Sequence, residues 1–599
     1  MVIETRTKTP VVGLMPDTRE INFFEADPHL RFILGQRVPT GALEAGLDRL
    51  RQLGARLGGE IEDLAAEADQ NTPTLRVRDR TGAPLSDVAP SRAYRELERI
   101  FYGEFHLAGL SLHVPGDSST EESSVLNDAL MYLGQQVESG LFCPLGMTRS
   151  LARTLLKFAG PDVVRSYVPR LASPRMDEFH TGAMFMTEKQ SGSDLGIVAS
   201  VARPATSPEG WWELDGDKWF CSNAGADVIL TLARPEGAPT GTRGLGLYLV
   251  PRELPDGTRN SYRIERLKDK LGMRSFASGE VTLERTLALQ IGGPGEGWHQ
   301  MTEMLNTTRL ACGSGAAALA RRSFLEAVTH ARGRVAFGKP LIELPLMREQ
   351  LLDMLIDVEG FTALFFEGSA SLERADAGDA VAALLVRVLT PLAKYHISAE
   401  ARRTVEEGME VRGGNAYIEE WPNPRLLRDV HVQSIWEGTG NISALDLGRA
   451  LSHEGVPDTF FAHYFARLDA ISDSPVRRAA SLASLALTRC QRALSGLTSA
   501  GPVRTQARMR DLTHQLAHAL TATLLVEEAA AQAMADASYR NLARATRYLR
   551  RHIFVPQSGF ASDEDQLAQD WLEQLIDWSA MPAAASEALL GAMERETHP

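Results

Sequence analysis

Cysteine is scarce: four in 599 residues, and the closest two, Cys143 and Cys221, lie 78 positions apart. That spacing excludes a CxxC-type zinc or redox motif and argues against a disulfide-stapled secreted fold. A reducing, cytoplasmic setting is therefore expected. There is no uninterrupted apolar run of about 18 residues, so no membrane-spanning helix is expected, and Met1 to Pro10 carries no apolar core of a secretory signal. Basic charge is also in deficit: 63 Lys and Arg against 77 Asp and Glu give a net charge of −14. A chain built as a whole to coat nucleic acid is excluded by that balance. Lysine is missing altogether from 454–599. What is present is ordinary for a globular protein, with 44% apolar and 23% charged residues, which excludes disorder as the main state. The length suggests about four domain-sized units at roughly 150 residues each.

The pattern along the chain is helical, then β, then helical twice over. Leu43 to Ala68, Asn127 to Gly140 and Thr148 to Tyr167 repeat apolar residues at helical steps, and a Pro/Gly/Ser-rich break falls at 114–119. From near His180 the texture changes. Trp211 to Phe220 places strand-like runs on either side of Asp215-Gly216, a hairpin signal. Asp227 to Ala233, Gly244 to Pro251 and Gly279 to Leu283 read as further strands. Long helical patterns return over Trp298 to Arg332, Leu344 to Arg374 and Ala380 to Arg412, then stop at Gly413-Gly414. The expected class is α+β: a helical N-terminal domain (1–178), a middle β domain (179–292), a C-terminal helical bundle (293–453) and an Ala/Leu-rich helical extension (454–599).

Four segments carry candidate chemistry. Met186 to Asp194 enters a Gly/Ser turn whose hydroxyls and N–H groups suit a polar ring edge or a phosphate; it is equally an ordinary strand connection. Lys218 to Asn223 places Trp219 and Phe220 on opposite faces of a strand, one able to flank a flat cofactor, or both simply packing. Arg334 lies before the turn Phe337-Gly338-Lys339-Pro340, where it can hold a phosphate or solvate a helix end. The fourth runs from Gly413-Gly414-Asn415-Ala416-Tyr417 through Arg425 and Asp429 to Ser434-Ile435-Trp436-Glu437-Gly438-Thr439-Gly440-Asn441. A carboxylate among apolar neighbours serves as a base near neutral pH, and glycine after it leaves room for a ligand. A helix-start Glu on the macrodipole fits the same letters.

In order and separation these segments resemble the acyl-CoA dehydrogenase family of flavoproteins, over about residues 40–450. Glu265 to Ser275, Met186 to Gln190, Ser434 to Asn441 and the extension are similar to the AidB-like, alkylation-response branch. The resemblance implies an acyl-CoA dehydrogenase-like fold, assembly as a homotetramer (a dimer of dimers) and FAD as cofactor. It assigns flavin contacts to Met186, Thr187, Ser193, Phe220 and Ser222. Arg334 and Phe337 are implied to reach the FAD of a neighbouring subunit, Gly413 and Gly414 the diphosphate, and Thr439 and Asn441 the same cofactor. Glu437 is implied as the catalytic base of α,β-dehydrogenation, with Arg309 and Arg449 near the acyl-CoA. An electron-transfer flavoprotein is the implied acceptor. Four positions depart from the family pattern: Phe220 where Trp is common, Pro345 and Glu410 where Gln is common, and Ala416 where Gly is common. A second reading is a flavoprotein acting mainly by binding, to an acyl-CoA or to DNA. Arg467, Arg477, Arg478, Arg489, Arg492, Arg504, Arg508 and Arg510 outnumber Asp469 and Asp473 in their stretch, and Arg540, Arg544, Arg547, Arg550 and Arg551 have no acid among them. Solvated helix faces or subunit contacts explain the same arginines, as the acidic stretch from Asp563 to Asp577 and the net charge suggest.

Overall fold

The computed structural model describes residues 15–114, 122–555 and 566–597. Met1 to Pro10, positions 115–119 of the loop break and Asp563 to Asp565 of the acidic stretch lie outside the described residues. The chain contacts group into two compact units. One, the sheet-containing unit, holds residues 34–315 and 431–442; the other, the helical unit, holds the remaining described residues.

The sheet-containing unit is organised around seven strands. Val228–Pro235 pairs antiparallel with Gly246–Pro251, which pairs with Ser278–Ile291, which pairs with Trp212–Ser222, which pairs with Val201–Pro204. Val201–Pro204 then returns, in parallel, to Val228–Pro235, so the sheet closes on itself into a small barrel. Gly182–Phe185 and Tyr262–Leu267 are appended to it. Inward side chains such as Phe185, Leu214, Ile229, Tyr248 and Val281 fill the barrel. On the opposite face Leu230, Leu247 and Leu249 pack with Leu151 and Leu155 of the helix Phe142–Phe158 and with Val168 and Leu171 of Pro161–Leu171.

Asp215-Gly216 is not a hairpin. Trp212–Ser222 is one continuous strand with a register shift between Leu214 and Gly216. Gly216 has φ +150, and a Cβ there would stand 2.4 Å from the Ser200 hydroxyl oxygen. The glycine allows a close backbone approach, opposite a bulge that Glu284 and Arg285 form in the partner strand Ser278–Ile291. The N-terminal region also contains an unforeseen hairpin, Thr74–Arg78 with Pro84–Ala89. Its residues are mostly exposed, so it lacks the apolar alternation that announces a strand. The pattern over Leu43 to Ala68 divides at Gly58 and Gly59 into helices Thr40–Leu57 and Glu60–Gln70. That over Thr148 to Tyr167 divides at Gly160 and Pro161, with proline at the first helical position.

In the helical unit, Pro345–Asp376 packs along Ala380–Arg412, and Pro502–Asp536 packs on both. Residues 380–417 are long and apolar enough to cross a membrane by composition, with mean hydropathy 1.4, but 67% of the apolar window is buried inside the protein. It reads as a core helix, carrying the buried polar residues Lys394, His396 and Ser398.

Candidate active site

Glu437 lies on the turn between helices Pro422–Gln433 and Gly440–Leu451. Its backbone is left-handed, φ +55, and the next residue, Gly438, has φ +106. A non-glycine residue in that region costs of order 1–3 kcal/mol and persists only where its surroundings impose it. They do so here from one helix, Gly297–Gly333: the Arg309 guanidinium donates through Nε to the Glu437 carbonyl at 2.9 Å, and the Thr308 hydroxyl donates to Glu437 Oε2 at 3.0 Å. One residue grips the main chain and its neighbour the carboxylate.

The carboxylate opens on a cavity of about 40 Å³. Phe142, Cys143, Met147, Ala311 and Trp436 make its apolar walls, and Gln135, Ser139, Thr308 and Gln433 are the polar groups beside Glu437. The Cys143 thiol is pushed up to about 12, first by burial, with the Glu437 carboxylate adding to the effect and Lys270 opposing it. It is a neutral thiol. Ser222, at the end of the strand Trp212–Ser222, lies beside it. The cavity that holds Glu437 therefore reaches the barrel strand that carries Phe220 and Ser222.

Of the other expected flavin positions of this unit, Met186, Thr187 and Phe220 lie on or against the same strand. The Trp219 N–H donates to the Thr187 carbonyl at 2.8 Å, tying the Met186–Thr187 segment to it. Phe220 is 57% exposed, and Lys268 Nζ lies 3.7 Å from the Trp219 ring centre and 4.8 Å from that of Phe220. Ser193, Thr439 and Asn441 are exposed. Glu188, which sequence reasoning left without a role, is buried against Lys218 Nζ at 2.8 Å and accepts from Ser200 Oγ at 2.5 Å and Ala199 N at 2.7 Å. That pair anchors the loop Glu188 to Ser200, which carries Ser193. The Thr187 and Ser222 hydroxyls, on or against the strand that carries the exposed Phe220 ring, are a donor set that suits a flavin ring.

The remaining expected residues belong to the helical unit. Arg334 immediately precedes a two-residue hairpin, Val335–Ala336 with Lys339–Pro340, whose tip is Phe337 and Gly338 at φ +52 and +84. Phe337 is 91% exposed there. Gly413 caps Ala380–Arg412 at φ +71, a conformation that favours glycine, and Gly414 follows it. Arg449 is exposed and lies 3.7 Å from Asp446. Sequence reasoning missed Thr308 and Cys143. Thr308 adjoins Arg309, but nothing local marks a threonine that bonds a carboxylate 129 positions away.

Residues 295–452 match the C-terminal domain of acyl-CoA dehydrogenases, residues 183–286 the middle domain, and residues 14–178 the N-terminal domain of the adaptive response protein AidB. The chain belongs to the acyl-CoA dehydrogenase family, whose cofactor is FAD. It is 38% identical to AidB of Escherichia coli strain K12 over 429 residues, covering 69% of this chain and 75% of that protein. Two solved structures share the fold. Caenorhabditis elegans ACDH-11 in complex with C11-CoA matches with TM-score 0.84 and 27% identity over 93% of this chain and 96% of that one. The apo form of Bd2924 matches with TM-score 0.77 and 30% identity over 86% of this chain and 99% of that one.

Proposed function

We propose that this protein is an FAD-dependent acyl-CoA dehydrogenase that introduces an α,β double bond into an acyl-CoA thioester, with Glu437 as the base. The observation that carries the reading is the held carboxylate: Glu437 sits in a left-handed turn gripped by Thr308 and Arg309, facing a largely apolar cavity that abuts Ser222 through Cys143. FAD, when bound, supplies the two-electron acceptor for the β-hydrogen. This chain's own residues do the rest. The hydrogen bond from Thr308 fixes the rotation of the carboxylate so that it can take the α-proton, and the apolar walls exclude water from the reacting end of the acyl chain. Thr187, Ser193, Ser222 and Phe220 would hold the ring, and Thr439 and Asn441 would add contacts from the base's own turn. The bound C11-CoA of the nematode relative supports a medium or long acyl chain. Reoxidation by an electron-transfer flavoprotein completes the cycle. In the proposed homotetramer the hairpin tip at Phe337 is covered by a neighbouring subunit, which accounts for so exposed an aromatic ring.

Anaerobic titration of the purified flavoprotein with a panel of acyl-CoAs tests the reading. Bleaching of the oxidised flavin band is expected with at least one of them. Glu437→Gln should keep FAD and ligand binding but lose about 100-fold or more in the bleaching rate, the scale of a general base. Full activity in that variant would remove Glu437 from the role, and a bound flavin that no acyl-CoA bleaches would move the weight to a binding protein.

A further inference from the structure

His514 and His518 stand four positions apart on the helix Pro502–Asp536, so their side chains share one face. His396, on the helix Ala380–Arg412, meets them. One ligand atom from each of the three residues lies within 4.8 Å of the other two. The rings stand edge to face, with centres 4.6 Å apart for His396 and His518 and 4.5 Å apart for His514 and His518. All three belong to the helical unit.

Two features distinguish this cluster from packed core histidines. His396 is 1% exposed, and neither of its ring nitrogens has a hydrogen-bond partner among the described residues. An imidazole buried with both nitrogens unsatisfied is costly unless something binds it. His518 is oriented from behind: its Nδ1 is 2.8 Å from the Tyr548 hydroxyl, and a phenolic oxygen accepting from Nδ1–H directs the Nε2 lone pair the other way. Ligating histidines are ordinarily fixed by such a partner on the second nitrogen. Burial, reinforced by His514 and His552, pushes His396 down to about 3, so it is a neutral donor. His514 is exposed and gives the cluster an opening to solvent. The surroundings are a second support rather than ligands: His552 stacks on His518 at 4.4 Å and bonds Asp357 at 2.6 Å.

We propose that His396, His514 and His518 form a binding site for a divalent transition-metal ion, of which zinc is the natural occupant, with solvent as the fourth ligand. Three nitrogen donors and no carboxylate among them suit zinc, nickel or copper and do not suit magnesium or calcium. Zinc–nitrogen bonds of 2.0–2.1 Å place tetrahedral ligand atoms about 3.3 Å apart. Side-chain rotation of roughly 1.5 Å or less closes the cluster onto an ion. The ion would staple the extension helix Pro502–Asp536 to the bundle helix Ala380–Arg412.

The test is calorimetric titration of the full-length, chelator-stripped flavoprotein with Zn²⁺, with thermal unfolding recorded with and without the ion. Wild type should bind one ion per chain and unfold at a higher temperature when loaded. His514→Ala removes an exposed ligand and should weaken binding by about 10- to 100-fold or more, on the scale of lesser changes around metal sites. His518→Gln should do the same. In both variants flavin absorbance, which reports the fold, should be unchanged. Absence of stoichiometric binding in wild type would overturn the site, and so would equal affinity in wild type and His514→Ala.

Discussion

A glutamate at φ +55 does not keep that conformation unaided. Arg309 fixes its carbonyl and Thr308 its carboxylate, and the two neighbours leave helix Gly297–Gly333 in the register needed to do both. Arg309, expected beside the substrate, thus contacts the backbone of the base itself. Thr308 gives the sharper test, because its hydroxyl can be removed without changing side-chain shape. A hydrogen bond to a charged group is worth about 1.5–3 kcal/mol. Thr308→Val should therefore lower kcat/KM for the acyl-CoA substrate about tenfold or more, and Thr308→Ser should restore most of it. Equal loss in both variants would mean that the methyl group packs the site and the hydroxyl does not matter. At this scale Glu437 was legible, since Trp-Glu-Gly-Thr-Gly is a local word. Thr308 and Cys143 were not, because their meaning lies in residues 129 and 79 positions further along, Glu437 and Ser222.

At the scale of elements, the barrel loop that presents Ser193 depends on one buried ion pair. Burial alone would raise the Glu188 carboxyl, but the Lys218 ammonium, the Ser200 hydroxyl and the Ala199 N–H hold it below its ordinary value. Its stabilising contribution is therefore complete above the unfolded value of 4.5 and is lost as pH falls through the lower folded value. Glu188→Gln leaves the Lys218 ammonium buried without its charge partner and should destabilise the fold by about 3–5 kcal/mol at neutral pH. Urea unfolding followed between pH 7 and pH 3 checks both parts. Wild type should lose this contribution below about pH 4.5, and the variant should show a correspondingly flatter decline. A neutral-pH difference under about 1 kcal/mol would mean that water already reaches the pair. The same strands show what periodicity can and cannot carry. Val228–Pro235 and Gly246–Pro251 were readable as apolar runs, and Ala380–Arg412 was foreseen with its bounds. Asp215-Gly216 was misread because a glycine set for close approach inside a strand and a two-residue turn use the same dipeptide, and only strand pairing separates them.

Across the whole chain, the largest difference between sequence and structure is charge. Counted locally, the extension looks like a basic surface. Most of its partners lie far off in sequence, upstream or downstream, where no window reaches. Arg540 and Arg544 are fully buried on Glu359, with Arg544 also on Glu528; Arg547 and Arg551 bond Asp353, and Arg467 bonds Glu367. Arg478 pairs with Glu587 and Glu594 and Arg550 with Glu596. These arginines hold helices of the extension to Pro345–Asp376 and to one another, which removes them from the apparent excess. Among the expected phosphate binders, Arg477, Arg489, Arg492, Arg504, Arg508 and Arg510 remain exposed, with Arg477 3.6 Å from Asp469 and Arg508 3.1 Å from Asp511. Each phosphate neutralised contributes about −0.9 to the slope of log K against log salt. Six arginines therefore permit a slope no steeper than about −5 for duplex DNA, and Arg504→Ala should flatten whatever slope is found by about 1. Affinity measured between 50 and 200 mM salt decides it. A slope of −6 or steeper would require the buried arginines to leave their carboxylates, and the extension would then have to open to bind; a flat profile would leave all of its arginines to assembly of the fold.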